Sequence, residues 1–265
     1  MSTDPTVDDQ LIDVERYLAR IGLSEAPALD RDGLATLQRA HMATVPFENL
    51  DVVAGIAVRT DLAWSVPKVV DRRRGGWCFE LNGAFGALLS ALGFDVIQLG
   101  AAVLLDGPTS VVDHLALEVT LDQPYLVDVG FGESFVSPLE LNTRGAQIDP
   151  AGTFELIDSS QGVTLTWHDD EGIPLPQYRF KRVHHDLVDF EAASERLRTD
   201  PSLDWSSKPF ATRLVDASVT GSADRITLRQ DHIKNHGDGA TTETPVSAAE
   251  WDSTLAELFD IDSPL

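Results

Sequence analysis

The chain holds one cysteine, Cys78, in the stretch Arg74-Gly75-Gly76-Trp77-Cys78-Phe79-Glu80-Leu81-Asn82. The glycine pair breaks regular structure and lets the backbone turn sharply and approach a ligand closely. An amphipathic pattern follows. Leu81, Ala84, Phe85, Leu88, Leu89 and Leu92 recur at the spacing of one helix face, and Gly93 stands where a helix C-cap glycine belongs. The spacing places Cys78 in the first turn of a buried helix, where unpaired N–H groups and the helix dipole favour negative charge. A thiol in that position ionises more readily than a free one. Taken alone, a lone cysteine is more often a small buried hydrophobe.

Two residues downstream shift that balance. His114 stands at the mouth of one alternating run, and Asp128 is the odd residue in an apolar one, between Val127 and Val129. If the two runs pair as a hairpin, His114 and Asp128 lie close together. A buried carboxylate needs a partner. An imidazole N–H supplies one, and the pairing fixes the tautomer and stabilises the cation. A cationic His114 beside Cys78 stabilises a thiolate. The three then make a triad of nucleophile, general base and acid, and orienter. Each member is weak by itself: a strand histidine is more often structural, and a buried aspartate is often a strand-end hydrogen bonder. His41, His168, His184, His185, His232 and His236 have no comparable setting. Adjacent His184 and His185 lack a second ligand cluster, so no metal is expected.

The elements that must position these residues follow from periodicity. A helix is predicted over 8–22, with Leu11, Val14, Leu18 and Ile21 on one stripe and Gly22 at its end. A second runs from Asp32 to Ala43 and stops before Pro46, and a short one lies around Val66–Val70. After the Cys78 helix the period changes to two. Ile97 to Leu105 alternate, as do Leu115, Leu117, Val119 and Leu121, and Tyr125–Val129 forms a third strand ending in Gly130-Phe131-Gly132. Further strands fall near 153–157, 162–168 and 177–181, which reads as a small antiparallel sheet or barrel. The last third shows a helix at about 186–198, a strand at about 225–230 and a turn at His236-Gly237-Asp238-Gly239. Ser247 with Glu250 is a capping box opening a final helix with Ala248, Trp251, Leu255, Leu258 and Phe259 inward. The changes of period divide the chain into a helical part, 1–93, a β part, 94–195, and a final part, 196–265.

At 265 residues with 43% hydrophobic content, the chain can bury a sizeable core. No apolar run is long enough to span a bilayer. Met1-Ser2-Thr3-Asp4 lacks the basic and apolar regions of a signal peptide, and one cysteine forbids an intrachain disulfide, so a cytoplasmic location is expected. The net charge of −23 argues against nucleic acid or an anionic membrane as partner. Lysine is confined to Lys68, Lys181, Lys208 and Lys234. Such an acidic, lysine-poor composition is similar to that of proteins from salt-loving organisms, where salt screens the self-repulsion, and stability is expected to rise with KCl. The bland alternative is an ordinary acidic protein.

Four segments carry a resemblance: Val45-Pro46-Phe47-Glu48-Asn49-Leu50, Arg74–Asn82, Asp113-His114-Leu115 and Leu126–Gly132. In order and spacing they resemble the arylamine N-acetyltransferase family, from about residue 10 through the final helix, more loosely after 185. The resemblance implies an α+β fold: an N-terminal helical domain, a central antiparallel β-barrel and a C-terminal α/β lid, with a core similar to papain-like thiol enzymes. It implies ping-pong transfer. Acetyl-CoA acylates the cysteine, CoA leaves, and a small aromatic amine or hydrazine takes the acetyl group. By motif position Cys78 is the nucleophile, His114 the base and acid, and Asp128 the orienter. Phe47, Val112 and Phe131 fall to the substrate, and Ser110, Val111, Gly130 and Gly132 to the coenzyme A thioester. Some relatives carry Thr-Gly where this chain has Ser110-Val111. Glu48 and Arg74 are expected to pair and brace the site.

Three other readings compete: an amide synthase that closes a macrolactam from a thioester with the same triad, a thiol hydrolase of papain or transglutaminase type, and a binding protein with an inactive site. For the phosphates of CoA, Arg229 and Lys234 are candidates, set against the commoner reading of scattered surface cations.

Overall fold

Short polar side chains open the first helices. In the computed structural model, which describes residues 12–265 except 170, 202, 238 and 239, α1 spans Val14–Arg20 and the Asp13 side chain accepts from Arg16 N. The predicted start at residue 8 lies outside the described residues. In α2 (Arg31–Thr44) the Asp30 carboxylate accepts from Gly33 N, and the helix ends two residues before Pro46. Phe47–Glu48 follows as the short strand β1, then α3 (Leu50–Val53) and α4 (Leu62–Val70). The predicted helix at 66–70 is thus the second half of a longer one. Asp61 caps it at Trp64 N, and Pro67 sits inside it, where a proline normally signals a boundary.

α5 (Cys78–Leu92) is the central helix. Glu80 reaches back to Trp77 N at 3.2 Å to satisfy one of the N-terminal donors. Gly93, at φ +100°, takes the left-handed conformation that ends it. Leu81, Ala84, Phe85, Leu88 and Leu89 are fully buried in a core shared with α1, α2, α4 and the adjoining sheet.

That sheet is antiparallel throughout. Its strands are β2 (Asp95–Val103), β3 (His114–Thr120), β4 (Pro124–Val127), β5 (Leu139–Glu140), β6 (Ala146–Asp149), β7 (Gly152–Ser159), β8 (Gly162–His168) and β9 (Pro174–His184). The order β5-β4-β3-β2-β9-β8-β7-β6 curls into a nearly closed barrel. The Gln147 side chain bridges the two end strands, accepting from Glu140 N at 2.8 Å and donating to Glu140 O at 3.1 Å. Leu99, Ala116, Leu126, Phe154, Leu165 and Phe180 fill the interior. The alternating run of β3 is buried on both faces: Ala116 belongs to the barrel core, while Leu117 and Val119 belong to the α5 core. Its one acid, Glu118, is neutralised by Arg182.

A 3-10 turn (Leu187–Phe190) and α6 (Glu191–Thr199) replace the single helix predicted at 186–198. A second antiparallel sheet has the order β1-β10-β11-β12-β13, with β10 (Ala211–Leu214), β11 (Arg225–Leu228), β12 (His232–Gly237) and β13 (Ala240–Pro245). β1 comes from the first third of the chain, so the last third is tied back to it. In the predicted turn at 236–239, His236 and Gly237 end β12, and Asp238 and Gly239 lie outside the described residues. The last helix, α7 (Trp251–Phe259), buries Trp251, Leu255 and Phe259 against this sheet. It begins later than predicted. The Glu250 carboxylate does accept from Ser247 N at 3.2 Å, but 248–250 form a turn, and Ala248 is exposed rather than inward.

Candidate active site

The β3–β4 hairpin delivers two of the polar residues. Leu117 pairs with Val127, so the mouth of β3 and the end of β4 face each other. His114 Nε2 and Asp128 Oδ2 lie 2.7 Å apart, each residue 2% exposed. The other Asp128 oxygen, Oδ1, accepts from Gly130 N and from Asn82 Nδ2, both at 2.8 Å. The buried carboxylate is therefore fully engaged.

Asn82 is four residues after Cys78 on α5 and so shares its helix face. Its Nδ2 also donates to Leu115 O at 2.6 Å, and its Oδ1 accepts from Val129 N at 3.0 Å. One side chain thereby fastens the cysteine helix to both strands of the hairpin. Cys78 is buried at the start of α5, with Sγ 4.0 Å from Asp113 O. His114, held at Nε2 by Asp128, also interacts with Cys78. Burial lowers the His114 pKa, but the Asp128 carboxylate and then Cys78 outweigh it, and the imidazole is raised to about 10. Close approach is possible because residue 130 is glycine. A Cβ there would stand 2.7 Å from Cys78 Cα and 2.9 Å from Asn82 Nδ2.

Aromatic rings wall the site. Phe131 and Tyr178 pack on the His114 ring at centroid distances of 5.2 and 5.0 Å. The Tyr178 phenol is held neutral, its pKa raised by burial first and by the charge of Asp128 second. Phe47 packs on Trp205 and Phe210 at 5.3 and 5.5 Å, and Trp205 stacks on Trp77. Phe47, Phe131, Trp205 and Phe210 are among the residues that line a cavity of about 340 Å³, within the size range of small-molecule sites. Gly132, at φ +90°, also lines it; a Cβ there would press on Phe47. Ser110, Val111 and Val112 lie in the exposed loop ahead of β3 and do not line this cavity. The loop is anchored at its end by Asp113, which accepts from Val103 N at 2.9 Å and pairs with Arg196.

This architecture has known counterparts. The N-acetyltransferase family profile matches residues 30–264. An arylamine N-acetyltransferase of Mycolicibacterium smegmatis is 35% identical over 95% of this chain and 92% of its own. One from Escherichia coli is 30% identical, over 87% of this chain and 81% of its own. The chain belongs to the arylamine N-acetyltransferase family. It is an acyltransferase enzyme. Among solved structures, a Mycobacterium marinum arylamine N-acetyltransferase in complex with CoA superposes with a TM-score of 0.85 at 31% identity, covering 94% of this chain and 93% of that one.

Beneath the family motif around Cys78 lies a buried ionic brace. Arg74 pairs with Glu48 at 2.8 Å, as the sequence suggested, and also with Asp51 at 2.9 Å. Lys68, 1% exposed, joins Asp51 to Glu80 with 2.8 Å contacts to each. Burial would lower the Lys68 pKa, but Glu80, Glu48 and Asp51 raise it above the ordinary value. Removing one partner from such a set strands a buried charge. Among the described residues no group of three His, Cys, Asp or Glu side chains is placed to hold a metal ion, and none of their helices is long and apolar enough to cross a membrane.

Sequence reasoning passed over Asn82, Tyr178, Trp205, Phe210 and Arg225. Asn82 had a signal, being a polar residue at i+4 from Cys78 on an otherwise apolar helix face. The others lie far from the family segments in sequence and meet the site only through the fold.

Proposed function

We propose that this enzyme moves an acetyl group from acetyl-CoA to a small aromatic amine or hydrazine in two half-reactions, through an acetyl-Cys78 intermediate. The observation that carries the reading is the placement of His114. It is held by Asp128 at 2.7 Å, turned toward Cys78 and flanked by an aromatic cavity. The named activity of the relatives, and the CoA in one related structure, support the donor and the acceptor class.

In the first half-reaction the Cys78 thiolate, stabilised by protonated His114, attacks the thioester carbonyl of acetyl-CoA. The C–S bond to CoA breaks, and the CoA sulfur leaves with the proton from His114. Acylation removes the charge on Cys78, one of the causes that hold the His114 pKa high, and leaves His114 neutral. In the second half-reaction the amine attacks acetyl-Cys78, and His114 takes the ammonium proton as the C–S bond to Cys78 breaks. Thioester exchange is close to neutral in energy, and amide formation draws the second step forward.

On this reading the parts 1–93, 94–195 and 196–265 supply, in turn, the nucleophile, the His114–Asp128 pair and a wall of the acceptor cavity. Ser110, Val111, Gly130 and Gly132 attend the thioester, and Phe47 and Phe131 the acceptor. A free thiol nucleophile suits a reducing, cytoplasmic setting, and a chain of net −23 does not suit nucleic acid or anionic membrane as partner. Initial rates with acetyl-CoA and 4-methoxyaniline varied together test the scheme. Parallel double-reciprocal lines are expected, and intersecting lines would refute the two-step transfer.

A further inference from the structure

β1 is two residues long, yet it stands between the loop before Cys78 and the second sheet. On one side Phe47 bridges to Gly76, and Glu48 N donates to Gly76 O at 2.9 Å. On the other, Phe47 pairs with Thr212 and Glu48 with Ala211 of β10. Asn49 follows at once, 1% exposed, at the position that opens α3. An asparagine there normally caps the helix with its own side chain. This one makes no capping bond; the Glu48 carboxylate accepts from Leu50 N at 2.7 Å in its place.

The Asn49 amide reaches to a segment 156 to 161 residues further along the chain. Nδ2 donates to Trp205 O at 2.6 Å and to Lys208 O at 2.9 Å, and Oδ1 accepts from Phe210 N at 2.9 Å. Of the short side chains, asparagine offers two donors and an acceptor together; aspartate lacks the donors, and glutamine is longer. The segment so held carries two residues that line the cavity, Trp205 and Phe210, with ring centroids 5.3 Å apart. It runs directly into β10, whose Thr212 lines the cavity as well. The Trp205 indole N–H has no partner among the described residues, so the polar hold on Trp205 is through its backbone. Ser206 Oγ bonds locally, to Asp200 O and Leu203 O.

We infer that Asn49 is a positioning residue for the second half-reaction. Through three hydrogen bonds it holds the segment 205–210, and with it the Trp205 and Phe210 rings, in the arrangement that receives the ring of the acceptor. It acts on how the ring is held and not on Cys78, His114 or Asp128. Bracing of the Cys78 loop falls to its neighbour Glu48, which pairs with Arg74. The inference deepens the acetyl-transfer reading and rests on it.

The test separates the acceptor ring from the reacting nitrogen. Wild type and Asn49→Ala are acetylated, and acetyl-Cys78 is then discharged by 4-methoxyaniline or by hydrazine itself, a nitrogen nucleophile without a ring. Asn49→Ala leaves three backbone groups unpaired, so the arrangement that binds the ring becomes a smaller part of the population and apparent affinity falls in proportion. Discharge by 4-methoxyaniline should lose about tenfold in kcat/KM, through KM, while discharge by hydrazine stays within about twofold of wild type. Alkylation of free Cys78 by iodoacetamide should keep its rate and pH profile. Equal losses with the two nucleophiles, or a shifted alkylation profile, would place the effect on the reacting groups and overturn the inference. Undiminished discharge by 4-methoxyaniline would overturn it too. Should Asn49→Ala fail to fold, Asn49→Ser keeps a hydroxyl for one of the three bonds and should show the same split at smaller size; no split there would contradict the inference. If wild-type acetyl-Cys78 never formed, or neither nucleophile discharged it, the acetyl-transfer reading itself would fail.

Discussion

Asn82 and Asp128 are joined by a buried 2.8 Å hydrogen bond that links the cysteine helix to the residue orienting His114. Through it the position of Cys78 on α5 and the position of His114 on β3 are set by one contact. Asn82→Ala removes that bond and also strands Leu115 O and Val129 N. The variant is expected to lose about 1–3 kcal/mol of stability and about 10²-fold in the acylation rate, because small misplacement of reacting groups is costly. Urea unfolding and single-turnover acylation by 4-nitrophenyl acetate measure the two effects. An acylation rate unchanged in a folded variant would show that Asn82 only supports the fold.

Asp128→Asn keeps the shape and removes the charge that raises His114. A fall of about 10⁴-fold in acetyl transfer is expected, by analogy with the orienting carboxylate of other triads. Stability carries a second signature. His114 has a folded pKa of about 10 against an ordinary value of 6.5, so the folded state holds the proton more tightly. The stabilisation is complete below about pH 6.5 and is lost as pH rises through about 10. The comparison is made in a Cys78→Ala background, which removes the thiol titration. Stability should fall between pH 6.5 and 10 when Asp128 is present, and fall less when the Asp128→Asn substitution is added. Equal slopes would contradict the pairing.

Much of this arrangement can be read directly from residues, and the parts that cannot share a physical cause. The α5 pattern is legible because a long apolar stripe bounded by glycines has few alternatives, and the hairpin is legible because β3 and β4 are apolar strands split by a polar turn. α4 reads too short because Pro67 looks like a boundary, whereas the Asp61 cap fixes its true start. β12 and β13 escape notice because they are largely solvent-facing. Ala240-Thr241-Thr242-Glu243-Thr244-Pro245 is exposed throughout and has no apolar alternation. Arg225 is invisible for the opposite reason. A cation in sequence reads as surface, and only the fold shows that it is buried.

Gly130 is required by contact rather than by its own backbone angles. Gly130→Ala would bring a methyl group within 2.7 Å of Cys78 Cα, and overpacking of this kind costs about 1–3 kcal/mol. A lowered Tm together with slowed acylation is expected. A variant as stable and as fast as wild type would mean that α5 and the 130–132 turn can separate without consequence.

His41 gives the fold an acid-sensitive point away from the site. Burial first, and the charge of Arg20 second, hold its pKa down to about 3, and Nε2 meets the Tyr17 hydroxyl at 3.1 Å. The unfolded chain binds a proton here near pH 6.5 and the folded one does not. Stability is therefore present above about 6.5 and falls as pH drops toward 3, by up to about 1.4 kcal/mol per pH unit for one proton. His41→Gln should show a shallower loss between pH 6.5 and 5 in urea unfolding; an identical slope would assign the acid sensitivity elsewhere.

The central claim is a covalent acetyl group on Cys78. Intact-protein mass spectrometry after mixing with acetyl-CoA in high salt, with no acceptor present, followed by peptide mapping, tests it most directly. The account predicts one added acetyl group on the peptide containing Cys78, discharged when 4-methoxyaniline is added. Acetylation of the amine by enzyme that never carries an acetyl group on Cys78 would contradict it.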